Sequence, residues 1–298
     1  MEQITQNVFV NTKIRGCSPG FVVTTEGVVM VDVPVDQDDA RAWAKEIAKW
    51  GKVRYIVNTE VHFDHCMTNH LFDGVVIASQ ITSDLIRETN NDQWLRHQTS
   101  QIYAHYLEVP SPEDYRKGWP SITFTDCMTL RLGEHTFQIM LLPGHTPGQT
   151  AVYVPEEKVL FASDNMSKGP DASLHDALPD KWLESLEVYR KLNADFIVTG
   201  HSGVITSDHE KYLDQKATSI RERWDAVKQA KAEGLTVDEA SERLAKMFPR
   251  GATPASQDFA PIARGDIGPT RRWVAHLYHV TGANVTEGPK EVMSKPKK

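Results

Sequence analysis

Hydrophobic and polar positions alternate in short bursts over the first two hundred residues, and each burst predicts a strand. Val8-Phe9-Val10, Phe21-Val22-Val23-Thr24 and Val28-Val29-Met30-Val31-Asp32 are the first three. Pro19-Gly20 punctuates them, and Glu26-Gly27 supplies a hairpin turn. From Asp36 to Trp50 the period becomes helical, with acidic residues at the start and Gly51 as a stop. Ala40, Trp43, Ala44, Ile47 and Ala48 make a stripe suited to covering a sheet. Val53 to Val57 and Gly74 to Ala78 read as further strands, and Ile81 to Leu107 as mostly helix. Strand patterns return from Ile122 to Val154, with a hairpin turn at Gly133-Glu134 and a second arm over Phe137 to Leu142. Val159 to Ala162 and Phe196 to Val198 follow. Beyond that the pattern is helical. Ser207 to Glu233 ends at Gly234, a capping box (Thr236-Val237-Asp238-Glu239) opens the next helix, and Thr270 to Val280 is the last.

The expected organisation is a sheet-and-helix domain over residues 1–205, with a helical insertion at about 81–118. That insertion carries Trp94, His97, Tyr103, His105 and Tyr106, and either packs as an ordinary amphipathic segment or roofs a site. Residues 206–287 form a helical extension that either packs on the domain or mediates a dimer. Residues 288–298, rich in Pro and Lys, are expected to be disordered.

The chain has 298 residues, 40% of them hydrophobic and 24% charged, which is an ordinary globular composition. A net charge of −7 argues against nucleic acid or an anionic membrane as the main partner. No run approaches the ~20 apolar residues of a membrane helix. The first residues lack a basic region followed by an apolar one, so no secretory signal is expected. Three cysteines fit a reducing compartment, and the expected location is the cytoplasm.

Chemistry concentrates where strands end. After Val53 to Val57 the chain reads Asn58-Thr59-Glu60-Val61-His62-Phe63-Asp64-His65, which places Glu60, His62, Asp64 and His65 in six positions. An extended chain would send Glu60, His62 and Asp64 to one side, with a turn adding His65. Carboxylate and imidazole suit zinc, manganese and iron. Three more strands end in a single residue of the same type. These are His145 within Pro143-Gly144-His145-Thr146-Pro147-Gly148, Asp164 after Ser163, and His201 within Thr199-Gly200-His201-Ser202-Gly203. Asn165 adjoins Asp164, and His175 lies ten residues further on; both are candidates for contacting substrate.

This ordered set resembles the metallo-β-lactamase fold superfamily, whose pattern is H-x-H-x-D-H, then a His in a G-H-T-x-G loop, then a bridging Asp, then a late His. The resemblance spans about residues 7–205 and implies an α+β four-layer αββα sandwich. It also implies two divalent metal ions. One would be held by Glu60, His62 and His145, the other by Asp64, His65 and His201, with Asp164 bridging. The chain departs from the pattern at Glu60, which stands where the first His is usual, and at Cys66-Met67 after the motif. Either Glu60 is itself a ligand or only the second site is filled. If it binds, three carboxylates with a bridging hydroxide neutralise two divalent ions. Zinc is the expected metal, and a harder site tolerates iron or manganese.

The resemblance implies a hydrolase that uses a metal-bridging hydroxide on a small organic substrate: an ester, lactone, thioester, amide or β-lactam. Asp64 is the expected catalytic proton relay. An iron-dependent oxidoreductase of persulfide-dioxygenase type and a β-lactamase-like resistance enzyme are the competing readings. A nuclease is disfavoured by the acidic charge.

Overall fold

The computed structural model describes residues 1–88, 110–169, 172–248 and 268–281. Strands β1 (Glu2–Gln3), β2 (Val8–Val10), β3 (Gly20–Thr24), β4 (Gly27–Val31), β5 (Val53–Val57), β6 (Val75–Ser79) and β7 (Ile122–Phe124) form one sheet in chain order. Pairing is antiparallel from β1 to β4 and parallel from β4 to β7. The second sheet contains β8 (Cys127–Leu132), β9 (His135–Leu141), β10 (Thr150–Val154), β11 (Val159–Ser163), β12 (Phe196–Thr199) and β13 (Val204–Ile205), again in chain order. Here β11 and β12 run parallel and the other neighbours antiparallel.

The two-residue period of a strand sorts its side chains into layers. Along β4, Val29 and Val31 face the second sheet and meet Val57, Phe137, Val152 and Phe161. Val28 and Met30 point the other way, onto Ala40, Trp43 and Ile47 of α1 (Gln37–Ile47). In β11 the same alternation sends Val159 and Phe161 between the sheets. Leu160 and Ala162 point outward against α5 (Pro179–Lys191), α6 (His209–Ala232), α7 (Val237–Met247) and α8 (Gly268–Val280). The result is helix, sheet, sheet, helix: the αββα sandwich. The short helices are α2 (Phe63–Cys66), α3 (Gln80–Glu88) and α4 (Pro112–Lys117).

The helical extension docks on the sandwich. Ile220 and Val227 of α6, Leu244 of α7, and Val274 and Leu277 of α8 are fully buried in one cluster with Trp182 and Leu186 of α5. At about 1.5–3 kcal/mol per buried aliphatic side chain, those contacts far exceed what a loosely tethered helix would keep. The capping box on Thr236 and Glu239 is present. Three of the boundaries that differ from the sequence reading lie on α1 and α6. Asp36 does not begin α1 but caps it, accepting from Asp38 N and Asp39 N at 2.8 and 3.1 Å. α1 also ends at Ile47, so Ala48 is exposed and the Trp50 ring lies 4.4 Å from that of Phe9. α6 starts at His209 rather than Ser207. Helices α3 and α4 frame the expected insertion, and Leu85, Ile86 and Tyr115 pack on Val61 and Cys66 beside the ligand loop. The stretch between them, with Trp94, His97, Tyr103, His105 and Tyr106, lies outside the described residues, as do the Pro/Gly-rich connection before α8 and the tail at 288–298.

Candidate metal centre

Four loops at strand ends meet at one mouth of the sandwich. After β5 the chain does not stay extended as far as Asp64, the condition on which the alternation of Glu60, His62 and Asp64 rested. It turns at His62, which precedes α2, so Asp64 and His65 sit in that helix while Glu60 and His62 reach in from the approach to it. Backbone ties hold this loop. Asn58 Nδ2 donates to His65 O at 2.9 Å, and Thr150 N of β10 donates to Thr59 O at 2.7 Å. His145 is fixed from the second sheet, its N–H donating to Asn165 Oδ1 at 2.8 Å. Asp164 follows Ser163, whose φ of 50° turns the chain out of β11. His201 follows Gly200, where a Cβ would lie 1.7 Å from Asp164 Oδ1, so only glycine fits beside that carboxylate.

All seven predicted ligands converge. Asp164 is central. Its Oδ2 lies 3.5 Å from His145 Nε2 and 3.2 Å from His201 Nε2, and its Oδ1 lies 3.4 Å from His65 Nε2. On one side Glu60 Oε2 approaches His62 Nδ1 at 2.6 Å, and Glu60 Oε1 is 3.9 Å from His145 Nε2. His62 Nδ1 and His145 Nε2 are 3.2 Å apart. On the other side Asp64 Oδ2 lies 3.4 Å from His201 Nε2 and 3.9 Å from His65 Nε2. Glu60, His145 and Asp164 form one compact donor group, and Asp64, His65 and His201 another.

Each histidine aims one ring nitrogen at this centre and commits the other to an acceptor. His65 Nδ1 pairs with Asp32 Oδ2 at 2.9 Å, and His62 Nε2 with Asp176 Oδ2 at 3.1 Å. His145 Nδ1 pairs with Ser173 O at 3.0 Å, and His201 Nδ1 with Gly16 O at 2.8 Å. A carbonyl or carboxylate can only accept, so the outer nitrogen carries hydrogen and the inner one is the nitrogen that can offer a lone pair to a metal once any second proton has left. This is the arrangement metal-bound histidines adopt.

The donors fit a metal. Glu60 Oε1 and Oε2, His65 Nε2 and Asp164 Oδ1 are buried with no hydrogen-bond partner, an arrangement expensive to maintain in a fully packed site. Glu60 Oε2 and His62 Nδ1 are close but not aligned as donor and acceptor, as expected when both point at a shared third atom. Donors about 2.0–2.1 Å from a tetrahedral ion lie about 3.3–3.4 Å from one another. Leaving aside the Glu60–His62 pair, the inner contacts run from 3.2 to 3.9 Å and bracket that spacing. In the metal-free protein the charges compensate among themselves. Burial works to raise the Asp164 carboxyl, but His201 and His65 hold it well below the ordinary range. Burial works to lower His201, but Asp164 and Asp64 push it up to about 9.

His175 is at the rim, its ring 5.2 Å from that of His62 and 5.6 Å from that of His145. Asn165 needs correction as a substrate contact. It is fully buried, and its amide also donates to Leu142 O and Tyr189 Oη, so it positions the His145 loop. Cys66 turns away from the donors, packs with Val61 and Tyr115, and burial pushes its thiol up to about 12. Asp32 and Asp176 escaped the sequence reading. Asp32 also accepts from Thr59 N at 2.8 Å and Thr59 Oγ1 at 2.7 Å, with a left-handed φ of 57° that aims its carboxylate across the site.

Residues 13–201 match the family model described as "Metallo-beta-lactamase superfamily". Among curated proteins the chain is similar to the human acyl-coenzyme A thioesterase MBLAC2, at 29% identity over 41% of this chain and 44% of that protein. It is also similar to the hydroxyacylglutathione hydrolase of Bartonella quintana, at 28% identity over 40% of this chain and 51% of that protein. The matched stretch spans about half the length of these relatives. Among solved structures, a metallo-beta-lactamase family protein from Thermus thermophilus shares the fold. Its TM-score is 0.65 at 20% identity, covering 94% of this chain and 95% of that one.

Proposed function

The chain belongs to the metallo-beta-lactamase superfamily, and from that premise we propose that it is a dinuclear metallo-hydrolase acting on an activated acyl compound, with a thioester the substrate class to try first. The observation that carries this reading is the set of four histidines, each pinned by its outer nitrogen and open at its inner one. Glu60, His62 and His145 would hold one divalent ion, Asp64, His65 and His201 the other, and Asp164 both; zinc is preferred, with iron or manganese tolerated. Ions held there would polarise the scissile carbonyl and acidify a bound water. The thioester preference draws support from two relatives, one named an acyl-coenzyme A thioesterase and the other a hydroxyacylglutathione hydrolase.

The protein's own residues define the approach. Glu60 and His65 side chains are 0% exposed, whereas His62 and His201 are 22% and 23% exposed. Substrate therefore enters along the rim made by His62, His175, Asp176 and His201. Asp64 Oδ2 lies 3.4 Å from His201 Nε2, beside that rim, and is the group to take up a proton and pass it to the leaving group.

The test combines metal analysis with a substrate panel. Protein purified without added metal is assayed for metal content, then for hydrolysis of an acyl-CoA, an S-acylglutathione, a lactone and a β-lactam, before and after chelation. The expected result is about two metal ions per chain, and a thioesterase activity lost to chelator and restored by metal. Protein that binds no metal, or keeps full activity after its metal is removed, would sink the proposal.

A further inference from the structure

The superfamily pattern places an imidazole where this chain has Glu60, which leaves His62 and His145 as the imidazoles of that half of the centre. The structure supplies another from elsewhere in the chain. One ring nitrogen of each of His62, His145 and His175 lies within 4.8 Å of the others. We propose that His175 is a metal ligand, restoring to the first site the third imidazole that Glu60 displaces. This inference rests on the dinuclear reading above.

Three features make His175 a built donor rather than a rim histidine. Its own loop is part of the ligand framework, because Ser173 O accepts the outer hydrogen of His145 and Asp176 accepts that of His62. The loop is also anchored on both flanks. Leu174 and Ala177 are buried, Leu178 N donates to Gly144 O at 2.8 Å, and His276 Nε2 of α8 donates to Ala177 O at 2.8 Å. Finally, His175 Nδ1 contacts Ser173 Oγ at 2.6 Å, a hydroxyl that can donate or accept, while its Nε2 lies 3.4 Å from Asp176 Oδ2, so the ring is held in place between the two. A residue serving only to greet substrate needs none of this, whereas a ligand must be held to within fractions of an ångström.

Glu60 then adds a charge to the first site without costing it an imidazole. Single substitutions separate the two contributions. Glu60→Ala should retain two metal ions, because His62, His145 and His175 remain three neutral donors. His175→Ala should weaken one of the two ions by at least the ~10–100-fold typical of disturbing a partner of a metal ligand. The double variant should hold one ion.

The test uses the full chain loaded with cobalt(II), with stoichiometry measured by elemental analysis and affinity by chelator competition. The metal-free variants' thermal unfolding is followed alongside, and His175→Cys serves as a spectroscopic reporter. Coordination through position 175 predicts a thiolate-to-cobalt charge-transfer band in His175→Cys beyond any seen in the wild type. The same band decides the matter should His175→Ala fail to fold. Two cobalt ions bound by His175→Ala with wild-type affinity, or a His175→Cys spectrum without the band, would overturn the assignment and leave the hydrolase reading intact. Wild-type protein that binds no cobalt would overturn both.

Discussion

Replacing Asp32 with asparagine tests how far the centre depends on partners behind its ligands. The Asp32 carboxylate accepts from Thr59 N, Thr59 Oγ1 and His65 Nδ1 at 2.8, 2.7 and 2.9 Å. Asparagine has the same shape but one acceptor fewer. If its oxygen keeps the bond to Thr59 N, its NH2 faces His65 Nδ1, where a hydrogen already sits. The imidazole relieves that clash by moving its proton to Nε2, the nitrogen aimed at Asp164, and the lone pair needed for a metal disappears. Flipping the amide only transfers the clash to Thr59 N. The lost charge-assisted bond is worth about 1.5–3 kcal/mol. Burial pushes the Asp32 carboxyl up, against the pull of His65 and Thr59, so removing the charge also recovers some desolvation and the net stability loss lies at the low end of that range. Affinity for one of the two metal ions should fall by about 10–100-fold. Thermal unfolding of the metal-free protein measures the first effect and chelator competition the second. An Asp32→Asn protein with wild-type metal affinity would refute the claim that this carboxylate sets the His65 tautomer.

Gly200→Ala puts a methyl 1.7 Å from Asp164 Oδ1, so the carboxylate must leave its place between His145 and His201. Both metal ions should weaken together, with a stability loss of about 1–3 kcal/mol, and unchanged metal content by elemental analysis would show that Asp164 is no ligand. Because Asp164 and Asp64 hold His201 up to about 9 against the effect of burial, the metal-free protein keeps that proton at pH 7 and must release it on binding metal. Calorimetry in two buffers of different ionisation enthalpy should therefore give different apparent heats, and affinity should climb as pH approaches 9; identical heats would refute the linkage. At the opposite end of the sandwich, burial works to raise Glu157, but bonds from His135, Thr5 and Asn7 hold it below the ordinary range. A depressed carboxylate stabilises the fold above its unfolded pKa and loses that contribution as pH falls. The gap in urea midpoint between wild type and Glu157→Gln should accordingly be present at pH 7 and narrow on acidification below about 4, and a constant gap would contradict the sign.

The candidate ligands were legible in the sequence because each sits where a hydrophobic run stops, and strand period and strand end are local signals. Their support was not, because it is long-range. Asp32 reads as nothing more than the last residue of the run from Val28 until its left-handed turn carries the carboxylate to His65, 33 positions later, and Asp176 lies 114 positions beyond the His62 that it holds. Extended alternation failed at His62 because α2 has four residues, too few to imprint a period. Asn165 was misread for a related reason. Adjacency to Asp164 along the chain made it a candidate for contacting substrate, but the turn at Ser163 sends Asp164 into the centre and buries Asn165 behind His145. The ties that organise the centre also join the two sheets: Thr59 Oγ1 to Ser163 Oγ, Thr150 N to Thr59 O, Ser18 N to Gly200 O, and His201 Nδ1 to Gly16 O. Neither half of the donor set exists before the sheets stack, so ligand geometry and global folding form together. Metal bound there should stabilise the whole sandwich by mass action rather than one loop, raising the thermal midpoint with every increment of free metal.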